Sequence, residues 1–188
     1  MLSAADLNRA PVLIKNTTAQ PISASVLVNG ASTMPEPAAA SGFGIERQVY
    51  TPDGKLAKFD SVKQNDRFVV VLKVNETEAK LGHIVVEDRL PAGFEIENPK
   101  LLKGTDLKAF AWLDANTNPA HTAFRDDRFT AAFSRTNFNS KQQAAYTMAY
   151  VMRAVSPGSY THPGAYVEDM YRPEWFARTA PGKVEIVR

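Results

Sequence analysis

From residue 43 onward, apolar residues recur at every second position in one short segment after another, a period that belongs to half-buried strands and not to helices. Residues 67–75 put Phe68, Val70, Leu72 and Val74 on one face. Val69 and Val71 occupy the other face, which marks a central strand covered on both sides. Residues 145–154 gather Tyr146, Met148, Tyr150 and Met152 in the same way. Such segments must bury their apolar faces against each other.

Turn chemistry separates them. Residues 44–50 run into Thr51-Pro52-Asp53-Gly54-Lys55, where proline presets φ and glycine supplies the permissive position. Residues 82–89 lead into Leu90-Pro91-Ala92-Gly93-Phe94-Glu95, where Pro91 and Gly93 end one strand and redirect the chain. Residues 124–133 read as a hairpin around Asp126-Asp127, and residues 183–187 as a last short strand. One short helix is expected over residues 105–113: Thr105 can cap it, and Leu107, Phe110 and Ala111 share a face. About seven or eight strands with so little helix predict an all-β fold, an antiparallel β-sandwich with one short helix.

Ahead of this region, residues 31–42 are small, proline-containing and aperiodic, and read as a linker. Residues 1–30 hold two strand candidates, 12–14 and 22–28; Ile22, Ala24, Val26 and Val28 alternate with Ser23, Ser25, Leu27 and Asn29. Two strands alone are marginal. This stretch is expected to be the incomplete tail of a preceding β-domain, leaving residues 43–188 as the sandwich.

A net charge of +2, from 22 basic and 20 acidic residues, is too balanced to imply nucleic acid or direct membrane contact. The absence of cysteine rules out disulfides, a cysteine nucleophile and a thioester built from this chain. His83, His121 and His162 are far apart, and none has a second ligand at helix or strand spacing, so no metal or cofactor is expected. His83 reads as a surface or boundary residue. Asp114-Ala115-Asn116-Thr117-Asn118 has Pro119 where a calcium loop needs glycine, and reads as a plain loop. The adjacent carboxylates Glu87-Asp88, Asp126-Asp127 and Glu168-Asp169 read as solvated charge, because neighbours on a strand point to opposite faces. No nucleophile has a recognisable base partner, so no enzyme is expected. Met1-Leu2-Ser3-Ala4-Ala5-Asp6 is no signal peptide, and an exported location would need a targeting segment from elsewhere.

Residues 156–178 are dense in aromatics, prolines and ion-pairing groups, the composition favoured at interface centres. Composition alone favours the reading that Tyr160, Tyr166, Trp175 and Phe176 pack inside the domain over the interface reading. Within this stretch Ala154-Val155-Ser156-Pro157-Gly158, residues 163–166, and Val167-Glu168-Asp169-Met170-Tyr171-Arg172-Pro173-Glu174 carry a family likeness. It extends to Gln64-Asn65-Asp66-Arg67-Phe68-Val69-Val70, to residues 86–99, and to Phe124-Arg125-Asp126-Asp127-Arg128-Phe129. Over residues 43–188 the chain resembles the C-terminal macroglobulin-like domain (MG10-type) of bacterial α2-macroglobulins.

The resemblance implies an immunoglobulin-like macroglobulin sandwich within a periplasmic protease inhibitor of bacterial defence. In that family a protease cuts a bait region, and a Cys–Gln thioester on a separate helical domain then acylates a lysine of the attacker. The implied role here is non-catalytic. The domain packs against the thioester domain of the parent protein, in cis or in trans, and meets target proteases only through the full-length molecule. Met170 and Tyr171 match positions that face the thioester, flanked by Glu168, Asp169 and Arg172. Methionine is an adaptable filler and tyrosine an apolar ring with a polar tip, which suits a cover that excludes water. Trp175 and Phe176 are expected in the core. The rival reading is a free-standing immunoglobulin-like binding or adhesion module, and an exposed aromatic row on a flat sheet would speak for carbohydrate binding.

Overall fold

A computed structural model describes residues 6, 11–27, 29–30, 34–97, 110, 118–136 and 143–188. The chain divides into two units, Met1–Thr33 and Met34–Arg188. In the first unit, residues 11–27 contain no strand, which corrects the two expected there (Val28 lies outside the described residues). Leu13 is 87% and Leu27 86% exposed, and Val12, Ile14, Ile22 and Val26 are exposed as well. Alternation specifies a strand only where another strand pairs with it and something covers one face. What is formed is the turn between the two segments. Thr18 N–H donates to Asn16 Oδ1 at 2.9 Å, and Asn16 Nδ2 donates to the Gln20 carbonyl at 2.8 Å, an Asx-type turn.

The second unit is built of strands. They are β1 (Ala39–Ser41), β2 (Phe43–Tyr50), β3 (Ser61–Lys63), β4 (Arg67–Glu76), β5 (Gly82–Arg89), β6 (Phe94–Glu97) and β7 (His121–Phe124), followed by β8 (Arg128–Arg135), β9 (Ala145–Ala154), β10 (Gly158–His162), β11 (Tyr166–Asp169), β12 (Arg172–Arg178) and β13 (Gly182–Val187). A six-stranded sheet has the order β1-β12-β11-β5-β8-β7, a four-stranded sheet β2-β4-β9-β6, and a three-stranded sheet β10-β13-β3. The ladders of the two larger sheets are antiparallel, while β13 and β3 run parallel. The expected helix over residues 105–113 lies outside the described residues except for Phe110.

The two larger sheets bury their inner faces together. Phe68, Val70, Leu72 and Val74 of β4 join Met148, Tyr150, Met152 and Ala154 of β9 in one core with Ile84, Val86, Phe129, Ala131, Phe133 and Val167. Rings bridge the layers: Phe129 stacks on Tyr150 at 5.1 Å, and Phe133 meets Tyr146 at 4.4 Å. Val69 and Val71 on the other face of β4 pack with Phe110 and Val151, so this strand is covered on both sides. The Thr51–Lys55 turn closes as its residues require, with Gly54 at φ 85° and its N–H on the Thr51 carbonyl at 2.9 Å.

Buried charge stands where the sequence indicated solvated charge. Asp88 is fully buried and accepts from Arg47 Nη1 at 2.7 Å and Tyr150 OH at 2.9 Å. Arg47 also donates to the Pro163 carbonyl at 2.7 Å, which ties β2, β5, β9 and the β10–β11 connection into one polar centre. Glu76 is likewise buried, and binds Arg135, Tyr146 OH and the Ala144 N–H. A strand's inward position takes an acid when partners from other strands satisfy it.

Where the chain leaves the six-stranded sheet for the four-stranded one, Gly42 adopts φ 79°, and a Cβ there would lie 2.6 Å from the Trp175 ring. Both the conformation and the space demand glycine. Gly42→Ala is expected to destabilise the chain by about 2 kcal/mol, checked by urea denaturation.

Candidate functional site

The β11–β12 hairpin turns through two residues, Met170 and Tyr171, with Asp169 paired opposite Arg172. Met170 is 58% and Tyr171 77% exposed, whereas Asp169 beside them is 2% exposed. An apolar tip projects from a charged, enclosed base.

The base is a compact network. Asp169 accepts from the Tyr171 N–H at 2.9 Å and from Arg172 Nε at 3.1 Å, and Arg172 Nη2 also donates to the Leu81 carbonyl. Burial pushes the Asp169 carboxyl up, but the Arg172 guanidinium and the turn's own N–H groups outweigh it and hold the group below its usual range. Met170 N–H donates to the His83 carbonyl at 2.8 Å. Gly82 makes room for this arrangement, since a Cβ on it would come within 2.3 Å of Asp169 Oδ2.

Beyond Arg172 the ladder slips. The next pair is Glu168 with Phe176, so Pro173, Glu174 and Trp175 leave the pairing, at a place where proline has no N–H to contribute. Trp175 turns in against the core and meets Phe43 edge-on at 5.8 Å. Its ring carries Lys80 Nζ at 3.7 Å and the Arg172 guanidinium at 5.2 Å, so Arg172 is held by a π-face as well as by a carboxylate.

Four of the five expected site residues, Asp169, Met170, Tyr171 and Arg172, therefore form one structural unit. Glu168 does not join it. Its side chain lies on the outer face of the sheet, where it accepts from Tyr166 OH at 3.0 Å. Nor is Asp169 solvated, because its partner Arg172 and the close approach of Gly82 enclose it. Trp175 packs on the core as expected, while Phe176 is half-buried on the outer face beside Tyr166, with ring centroids 6.2 Å apart.

Sequence reasoning missed the support under the tip. Leu81, Gly82 and His83 are distant in the chain, and only the pairing of β5 with β11 brings them there. His83 is exposed, as its alternation indicated, and its ring lies 5.6 Å from that of Tyr171 at 80°. An open groove of about 370 Å³ runs beside the tip, lined by Gly82, His83, Thr136, Tyr171 and Arg172 among others. Among the described residues no group of three or more His, Asp or Glu side chains is placed to hold a metal ion. The calcium-loop candidate from Asp114 lies outside the described residues except for Asn118.

Fold and tip together define a β-sandwich that presents an exposed Met–Tyr hairpin turn between two interior strands of its six-stranded sheet. Residues 42–174 match the family model of the bacterial α2-macroglobulin MG10 domain, and the chain belongs to that family. It is 35% identical to Escherichia coli α2-macroglobulin over 152 residues, which covers 77% of this chain and 9% of the relative. The Xylella fastidiosa (strain Temecula1) protein of the same name is 32% identical, again covering 77% and 9%. Native E. coli α2-macroglobulin, solved from domain MG7 to the C-terminus, superposes with a TM-score of 0.71 at 30% identity, covering 85% of this chain and 25% of that one. Salmonella α2-macroglobulin reacted with methylamine gives 0.71 at 31% identity, covering 85% and 10%. The chain thus spans about a tenth of the length of these two curated relatives. It is an MG10-type domain of a bacterial α2-macroglobulin.

Proposed function

We propose that this chain is the non-catalytic C-terminal domain of a bacterial α2-macroglobulin-like protease inhibitor, and that Met170 and Tyr171 cover the thioester of the parent protein. The observation that carries this reading is an exposed Met–Tyr pair on a tip whose base is locked by Asp169, Arg172 and Leu81. A thioester is an activated acyl group that water destroys. An apolar cover delays that loss, and a preorganised tip costs little entropy to dock.

The partner in this reading is the helical thioester domain, in cis within one long polypeptide, with docking in trans as the other arrangement. Residues 1–30 belong to the preceding β-domain, and of the stretch 31–42 expected as a linker, residues 39–41 already pair as β1 within the sandwich. The parent protein is exported to the periplasm, and proteases are engaged only by the full-length molecule. A carbohydrate-binding module asks for an exposed aromatic row; Tyr166 and Phe176 on the outer face are half-buried, and Arg178 lies over the Phe176 ring.

The test is thioester hydrolysis in the full-length protein. Tyr171→Ala is expected to accelerate it about tenfold, the equivalent of about 1.4 kcal/mol of lost protection. An unchanged rate would end the lid reading.

A further inference from the structure

The Met170–Tyr171 turn does not support itself. Two-residue hairpins favour turns with positive φ, whose twist matches that of the strands. Here neither residue has one; Asn65, at 71°, is the non-glycine position that does among the described residues. Support comes instead from the start of β5, through the Leu81 carbonyl to Arg172, the close approach of Gly82 to Asp169, and the His83 carbonyl to the Met170 N–H.

Those ties fix the backbone and the flanking charges. They leave open the direction of the Tyr171 side chain, most of which is in solvent. His83 supplies the missing contact, edge-to-face at 5.6 Å. Its own ring is steadied from β8, where Ser134 pairs opposite His83 and places Oγ 3.3 Å from Nδ1. Backbone and side chain of one residue thus hold the two halves of the tip, Met170 by the carbonyl and Tyr171 by the imidazole.

We infer that His83 is the positioning residue for Tyr171, holding the phenol ring in one projecting direction so that it meets its partner preorganised. This role rests on the reading of Tyr171 as a cover. A ring in that place is what matters, since an edge-to-face contact is a property of aromatic geometry. Phenylalanine can therefore replace histidine there, and alanine or glutamine cannot.

The experiment uses the full-length protein and follows thioester loss to water and to methylamine in His83→Ala, His83→Gln, His83→Phe, Tyr171→Ala and the double variant His83→Ala/Tyr171→Ala. Loss is expected to rise roughly threefold in His83→Ala and His83→Gln, the weight of one such contact, and to stay near wild type in His83→Phe. The double variant is expected to be no faster than Tyr171→Ala, because a positioning residue has nothing left to position. If Tyr171→Ala is fast while His83→Ala matches wild type, the His83 role is overturned and the lid stands. Full additivity of the two changes, or a His83→Phe as fast as His83→Ala, overturns it equally. A Tyr171→Ala without effect removes the lid and the His83 role with it.

Discussion

Replacing Arg47 by methionine is expected to destabilise the sandwich by about 3–5 kcal/mol, read as a fall of roughly 10 °C or more in thermal midpoint. The size follows from what is left behind. Arg47 Nη1 holds both the Asp88 carboxylate and the Pro163 carbonyl at 2.7 Å, and Asp88 is fully buried. Burial raises the Asp88 carboxyl above its ordinary value in spite of Arg47, so the acid is already costly to ionise with its partner present. Without Arg47, Tyr150 OH would be the one side-chain donor left to it among the described residues. The desolvation cost belongs to the stranded acid and not to the pair. Removing all three polar groups together, as Arg47→Met, Asp88→Leu and Tyr150→Phe, is therefore expected to recover more than half of the loss. Additive penalties across the three sites would show that the groups act separately.

This polar centre is also where the amino-acid sequence was least legible. The period of two marked Phe68, Val70, Leu72 and Val74 as one face and Val69 with Val71 as another, because alternation is a local property of the strand. The structure carries both faces as read. Asp88 shares the alternation parity of Ile84 and Val86, but nothing local shows that an acid at such a position is enclosed and satisfied instead of solvated. The distinction lies in Arg47, 41 residues away, and in Tyr150, 62 residues away. Asp169 is the same case at the candidate site: its alternation parity was readable, but its enclosure depends on Gly82 and Leu81 across a ladder. The tip residues Met170 and Tyr171 were reachable through family likeness alone, since an exposed Met–Tyr pair has no periodic signature. Residues 12–14 and 22–27 fail in the opposite direction. They carry strand-like patterning, and nothing among the described residues pairs with them.

The other large expected effect is acid lability that begins well above the carboxylate range. His162 is 4% exposed, faces the Phe59 ring at 5.3 Å, and among the described residues its Nε2 has no hydrogen-bond partner. Burial, reinforced by the nearby Arg47 charge, pushes its pKa down to about 3 from 6.5. The unfolded chain therefore binds a proton between those values that the folded chain refuses. The stability this group contributes is complete above about pH 6.5 and is lost progressively as pH falls toward about 3, at about 1.4 kcal/mol per pH unit. Between about pH 7.5 and about pH 5 the loss is expected to reach about 2 kcal/mol.

Other shifted acids do not mimic this. Asp169 and Glu87, with lowered pKa values, lose their contributions only at or below about pH 4.5, where carboxyl groups begin to protonate in the unfolded chain. Asp88, with a raised value, shifts stability the other way as pH falls. His162→Leu keeps a buried side chain of similar size and removes the titrating group. Urea midpoints at the two pH values are expected to diverge in the wild-type chain and to stay within about 0.5 kcal/mol of each other in the variant. Equal slopes in both would mean that His162 takes up its proton without unfolding, and that the space around Nε2 admits water.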